Sequence, residues 1–341
     1  MAVTLAQYKY LGNEAEIRAG IAKTIVKESP MLRELPFIEI NNNVSRYKME
    51  TAEARADTYE VGETWVEGSP TWEYRDAPLA ILGGDADDDN FGRLAAAGED
   101  TQAAMVELKS KAVSHWFEDL AYLGRTTALG KYSAEKNFKG ILRLLCECES
   151  STATDLDGAL YSEFGTGGNN KQVVQAASGA SGTLTLDMLQ VLLDCVRPKA
   201  THLIMSRQMR RKIESLARAQ GNNLEHHRDQ LGFMVETFGD QTILINDFML
   251  DNFDDPTTIV SAPASYTPTQ AISATHDTSP IIAVRMGEDG LCGINGEGML
   301  QVERFEKLET KDAKRVRIKF YAGIRLTTKL AAAVLVSATF S

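Results

Sequence analysis

The stretch that most constrains this chain is residues 44–82. Two extended segments, Val44 to Thr51 and Thr71 to Asp76, flank a polar middle that contains glycine. In TWEYRD (71–76), Trp72 and Tyr74 fall on one side and Glu73 and Arg75 on the other, the two-residue period of a strand. The pattern predicts a long β-hairpin over 44–82. Its middle carries Asp57, Glu60, Glu63 and Glu67, so the tip is acidic. A lone two-stranded ribbon is marginally stable at best in water. A hairpin this long cannot bury both faces in its own domain, and a neighbouring copy is one support it can lean on.

The rest of the chain supplies a body for that ribbon. Residues 100–123 predict an amphipathic helix, with Val106, Val113, Phe117 and Leu120 on one stripe. Asp100 or Thr101 can cap its start and Gly124 can end it. About 24 residues at ~1.5 Å each make a rod of roughly 36 Å, long enough to act as a spine. Upstream, residues 1–29 read as an arm with Ile17, Ile21, Ile25 and Val26 near helical spacing, and Ser29-Pro30 stops any helix there. Downstream, residues 150–182 have loop composition. Thr185 then opens a helix with Leu189, Leu192, Leu193 and Val196 inward. His202 to Met205 reads as a buried strand, Ser206 caps a helix closed by Gly221, and Thr242 to Ile245 is another buried strand. This alternation predicts an α/β middle. Residues 281–340 are mostly strands: Val316, Ile318 and Phe320 alternate with Arg315, Arg317 and Lys319, and 330–340 is a buried strand. The fold class is α+β.

Composition excludes some functions. The chain has 341 residues, 43% of them hydrophobic, and a net charge of -11. That supports a sizeable core and argues against disorder. It also lacks the overall basic field of a phosphate-neutralising nucleic-acid binder. No secretory segment opens the chain and no apolar run approaches the ~18 residues that span a bilayer. Cys146, Cys148, Cys195 and Cys292 form no disulfide framework in a chain of this length, which fits folding in a reducing cytoplasm.

The motifs that invite chemistry are all incomplete. Asp85, Asp87 and Asp89 match the first ligand positions of a calcium loop, but Asn90 and Ala96 stand where Gly and Glu belong. A solvated acidic turn is the simpler reading. Cys146-x-Cys148 with His226-His227 lacks zinc spacing. GEDGLCGINGEG (287–298) completes no phosphate-binding glycine motif and reads as a turn-rich connection. Arg207, Arg210, Arg211, Lys212 and Arg218 make one helix basic, either as a solvated face or as a contact for DNA or the acidic hairpin of a neighbour. No catalytic constellation, metal site or cofactor site is expected.

Several phrases, in order, resemble one branch of the major capsid proteins of tailed bacteriophages, which have the HK97-type fold. SPMLRELPF (29–37) is similar to the arm-to-hairpin segment, and LAILGGDADDDNF (79–91) to the return from the hairpin. AVSHWFEDLAYLGR (112–125) and FKGILRLL (138–145) resemble the spine end and the next domain's start. LIMSRQMRRKIESL (203–216) with TILINDF (242–248) resembles the axial core, and AVRMGEDGLCGI (283–294) with RIKFYAGIRL (317–326) the closing strands. The resemblance implies an N-terminal arm over 1–43, an extended loop over 44–82, and a peripheral domain with a spine helix over 83–139. An axial domain over 140–270 and closing strands over 271–341 follow. It implies a structural protein, with no enzyme activity and no cofactor, that self-assembles as hexamers and pentamers around double-stranded DNA without sequence-specific binding. Separate scaffolding, portal and decoration proteins would be its partners. It would act in the virion capsid, assembled in the host cytoplasm and not at a membrane. Trp65, Trp72, Tyr74, Glu60, Glu63, Arg210 and Arg211 are the expected subunit-interface residues. Two alternatives stand beside this reading: an encapsulin-like nanocompartment shell, and a metal-dependent cytosolic enzyme using the aspartates near 85–89.

Overall fold

The computed structural model describes residues 29–52, 56–65, 71–91, 101–125, 135–148, 172–176, 182–221, 224–228, 234–249, 278–305, 308, 311–336 and 338–340. The expected arm helix around Ile17–Val26 and most of the 150–182 loop lie outside these residues.

The described chain opens with helix α1 (Pro30–Glu34) and strand β1 (Phe37–Ile40). Ser29-Pro30 starts a helix; the upstream helix it was expected to stop lies outside the described residues. Ser29 is the N-cap, its Oγ accepting from the Leu32 amide at 3.2 Å, and Pro30 takes the first helical position. Proline is tolerated there because its missing N–H would have had no helical partner. Strands β2 (Val44–Ala52) and β3 (Thr71–Pro78) pair antiparallel with each other and form a two-stranded sheet of their own.

One residue, Leu79, separates β3 from β4 (Ala80–Asp89). This strand corrects the acidic turn expected at 85–89. Its partner is β13 (Ala313–Leu326), in register from Ala80↔Ala322 to Asp89↔Ala313. With β1 and β12 (Leu291–Phe305) they make a four-stranded sheet in the order β1-β12-β13-β4. The glycine-rich 287–298 segment is likewise mostly strand: Gly287 and Gly290 form the turn, and from Leu291 onward the chain pairs with β13.

Helix α2 (Thr101–Leu123) packs against β4 and β13. Its stripe is buried at Val113, Phe117 and Leu120, with Val106 partly buried. Phe117 meets Phe37, Phe138 and Phe320 at ring-centroid distances of 6.3, 5.5 and 5.8 Å. The helix ends at Leu123, with Gly124 directly after it as expected, but the left-handed residue is the next one, Arg125, with φ 57°. Gly124 is needed for space: a Cβ there would sit 2.3 Å from the Phe138 carbonyl oxygen. Helix α3 (Ile141–Glu147) starts beside that joint, the Gly140 amide donating to the Gly124 carbonyl at 2.8 Å.

The other large sheet has seven strands in the order β5-β14-β11-β7-β10-β9-β8. These are β5 (Val173–Gln175), β14 (Ala332–Val336), β11 (Ile281–Val284), β7 (His202–Met205), β10 (Gln241–Ile245), β9 (Met234–Phe238) and β8 (Glu225–Arg228). Its helices are α4 (Leu186–Asp194), capped by Thr185, and α5 (Arg207–Ala219), capped by Ser206. Strands β6 (Gly182–Thr183) and β15 (Ala338–Thr339) form a small parallel pair. The central strands IIAV and AAVLV are buried on both faces. Ile282, Val284, Val334 and Ile204 face the core shared with α2 and α3. Ile281, Ala283, Leu335 and Leu203 face the core shared with α4 and α5. Alternation along each strand thus divides one sheet between two cores.

Candidate subunit interface

The β2–β3 ribbon has two unlike faces, set by its register: Arg46↔Asp76, Tyr47↔Arg75, Lys48↔Tyr74 and Met49↔Glu73. On the outer face, Trp72 and Tyr74 are 59% and 63% exposed. Lys48 Nζ lies 5.6 Å from the Trp72 ring centroid and 5.7 Å from that of Tyr74, within cation–π range. Beside them Arg46 donates twice to the Asp76 carboxylate, at 2.8 and 3.1 Å. Those hydrogen bonds hold the Asp76 carboxyl below its ordinary range. Large aromatic side chains thus stand in solvent beside a fixed ion pair.

The inner face meets the body. Met49 and Ala77 are buried. Tyr47 lies against Arg325 of β13, the guanidinium 5.7 Å from its ring centroid. Burial raises the Tyr47 hydroxyl's pKa far above the ordinary tyrosine range. Arg325 Nη1 donates to Ser45 Oγ at 3.5 Å. Arg75 is buried here and donates to Glu73 at 2.9 Å, while its Nε and Nη1 find no hydrogen-bond partner among the described residues. Sequence reasoning chose the outer aromatics and passed over Tyr47, Arg75 and Arg325. The strand period placed Arg75 opposite the aromatics, but only the tertiary structure shows that its side is the covered one.

At the tip, Glu60 to Glu63 close a turn. The Glu63 amide donates to the Glu60 carbonyl at 3.1 Å, and the Glu60 amide donates to Glu63 Oε2 at 2.9 Å. Gly62 supplies the positive φ of +89° that this turn requires. Tyr59 and Trp65 stack at 4.2 Å, with Trp65 78% exposed.

The basic helix is largely neutralised within the chain. Arg210 of α5 binds Glu236 of β9 through two nitrogens and lies near Glu214. Arg207 grips Asp247 at 2.5 and 2.7 Å, and Arg218 pairs with Glu214. Arg211 is exposed. The aspartates near 85–89 are also claimed. Arg317 donates twice to Asp85 and Arg315 twice to Asp87 across the β4–β13 ladder. These hydrogen bonds hold both carboxyls below the ordinary aspartate range.

Among the described residues no group of three or more His, Cys, Asp or Glu side chains is placed to hold a metal. Cys146 is buried in α3, and His226 and His227 are exposed on β8. Burial pushes the Cys148 thiol up to about 12 and the Cys195 thiol up to about 11, so both rest protonated. Among the described residues no helix is long and apolar enough to cross a membrane.

No protein-family model matches the sequence, and no curated protein sequence matches it. Solved structures do match. The SrpI encapsulin of Synechococcus elongatus superposes over 100% of this chain and 98% of its own, with a TM-score of 0.61 at 13% identity. The capsid protein of a native GTA particle covers 92% of this chain and 91% of its own, with a TM-score of 0.56 at 10% identity. A chain from Mycobacterium phage Bobi covers 90% of each, with a TM-score of 0.54 at 10% identity. On these matches this chain has the HK97-type fold.

Proposed function

We propose that this chain is the major capsid protein of a tailed bacteriophage, packing as hexamers and pentamers into an icosahedral shell around double-stranded DNA. One observation carries the reading. The β2–β3 ribbon is a sheet of its own, with Trp72, Tyr74 and Trp65 in solvent. A monomer gains nothing from such a surface, whereas a shell covers it with the next subunit. Residues 44–82 then form the extended loop, 83–139 the peripheral domain and 140–270 the axial domain, with 1–43 an arm and 271–341 returning to both. Many modest contacts multiply through multivalency into a stable particle. The net charge of -11 suits a wall that encloses DNA without gripping it. Scaffolding, portal and decoration proteins would be separate chains, with assembly in the host cytoplasm.

Deleting residues 53–70 tests this directly. The variant is expected to stay soluble and monomeric, sedimenting at tens of kilodaltons, while the full chain forms particles. Normal particles from the deletion variant would refute the reading.

The end-to-end match to an encapsulin supports a second reading, a nanocompartment shell that holds protein cargo. Particle contents separate the two: packaged double-stranded DNA supports the phage shell, and a co-purifying protein cargo without DNA supports the compartment.

A further inference from the structure

Glu118 of α2 is 4% exposed and lies where three segments meet. From α1 come the fully buried Ser29, whose hydroxyl hydrogen-bonds the carboxyl, and the Met31 amide, which donates to Glu118 Oε1 at 3.4 Å. From the end of β10 comes Asp247, whose charge acts on the same carboxyl. Met31, Leu32 and Leu35 share one core with Leu120 of α2 and Leu244 of β10. Among the described residues the groups acting on Glu118 are Ser29, Met31 and Asp247, and none is a cation. The charges of the surrounding elements are engaged elsewhere. Arg207 grips Asp247, Arg33 pairs with Glu34, and Glu34 lies 3.9 Å from His202. Glu147 of α3 holds Lys139 and Arg143, and Asp85 and Asp87 of β4 hold Arg317 and Arg315 of β13. On α2 itself Asp119 is buried, burial keeps Tyr122 protonated well above the ordinary tyrosine range, and the exposed His115 lies against the Phe248 ring.

We propose that Glu118 is a proton-operated latch, which holds residues 29–35 against α2 and β10 when protonated and releases them when ionised. A carboxylate in this seam has lost its water and gained no opposing charge, and Asp247 repels it. A protonated carboxyl sheds that cost and still accepts from the Met31 amide. Release of the segment returns the ionised group to water. Closed, the seam's burial pushes the carboxyl up to about 7, against lowering hydrogen bonds from Ser29 and Met31. Open, the group is an ordinary glutamate. The closed form therefore holds the extra proton between the two values, so closure weakens as pH rises to about 7 and is constant above it. Residues 1–28 join the body through this segment, so the latch sets how firmly the start of the chain is anchored. It acts within a single chain. Under the shell reading above, it makes any contact of residues 1–28 with a neighbouring copy firmer in acid than above neutral pH.

The test is hydrogen–deuterium exchange on the full, unassembled chain from pH 5.5 to 8.5, with protection corrected for intrinsic exchange rates. Peptides covering residues 29–36 report the latch, and peptides covering 202–216 report the body. One proton taken up on closing means about a tenfold loss of protection per pH unit. Protection of 29–36 in wild type should fall at least about tenfold between pH 5.5 and 7 and then level off, while 202–216 stays constant. In Glu118→Gln both segments should be independent of pH. An unchanging 29–36 segment in wild type would overturn the latch. So would an equal fall in both segments, or a fall that persists in Glu118→Gln. Ser29→Ala gives a second reading, which holds even where Glu118→Gln folds poorly. It removes a hydrogen bond that favours the carboxylate, so the pH at which protection levels off should move up, although the lost cap lowers protection at every pH. A levelling pH that stays in place or moves down would overturn the proposal. None of these readings requires particles, so failure of the shell reading leaves the latch standing or falling on its own.

Discussion

Strands β3 and β4 are nearly continuous in sequence, yet they live in different environments. Along β4, Ala80 and Leu82 are buried under α2 and its sheet, and the charged residues that follow find arginines on β13. Along β3, the aromatics face solvent and the arginine is buried. The difference lies in backing. A strand with a helix behind it and a long partner beside it buries Ala80 and Leu82 toward the core, although Ile81 stands exposed and Asp88 is buried. A strand in a two-membered ribbon leaves its aromatics outside when the side it buries is not the side they occupy. Under the shell reading proposed above, those aromatics are surface held for a neighbouring copy.

The contrast should break first in the body. Phe117→Ala removes the ring that joins α2 to Phe37, Phe138 and Phe320, and should cost the subunit roughly 3–5 kcal/mol in chemical denaturation. A loss below about 1 kcal/mol would mean the α2–sheet core is not the main support.

A smaller effect belongs to Glu118, buried in the middle of α2. Its Oε1 accepts from the Met31 amide at 3.4 Å. Burial pushes its carboxyl up to about 7, against lowering contributions from Ser29 and Met31. The folded state therefore keeps a proton that the unfolded chain, with an ordinary glutamate, has released. Stability from this group is full below about pH 4.5 and declines as pH rises to about 7. Glu118→Gln, neutral throughout, should gain on the order of 1–3 kcal/mol relative to wild type at pH 8 and little at pH 4. A pH-independent difference would show that the carboxyl is ionised in the native state.

The smallest subunit effect should come from the ribbon. Trp72→Ala should leave denaturation of the unassembled chain within ~0.5 kcal/mol of wild type, yet impair particle formation. If the subunit loses as much as Phe117→Ala does, the ring is a core group and the contrast fails.

Much of this fold was legible where the signal is local. Thr185 and Ser206 cap their helices through their own side chains, and Val316, Ile318 and Phe320 alternate inward along β13. Elements defined by distant partners were not legible. Residues 85–89 read as an acidic turn because the arginines that neutralise them lie some 230 residues later: Asp85 with Arg317 is separated by 232 positions. Ser29-Pro30 gave no sign of the short helix it begins, because proline suits both the end of one helix and the first turn of another. At the candidate interface, the hairpin and its aromatics follow from a two-residue period. That Arg75 faces inward and Arg210 is already paired depends on which face the rest of the chain covers, and no period encodes that.

The passage from β3 through Leu79 into β4 has a mechanical consequence. The chain stays beside β13 past Pro78, whose carbonyl oxygen is so close that a Cβ on Gly323 would lie 2.7 Å from it. It then pairs with β13 along the whole of β4. A neighbour that tugs on the ribbon along its strands therefore pulls across many ladder hydrogen bonds at once, because those bonds run perpendicular to the strand. Load arriving in shear is shared by the whole register, whereas a ribbon attached through a loose turn would peel one pair at a time. A wall under internal pressure would be held at its seams by this continuity of strand.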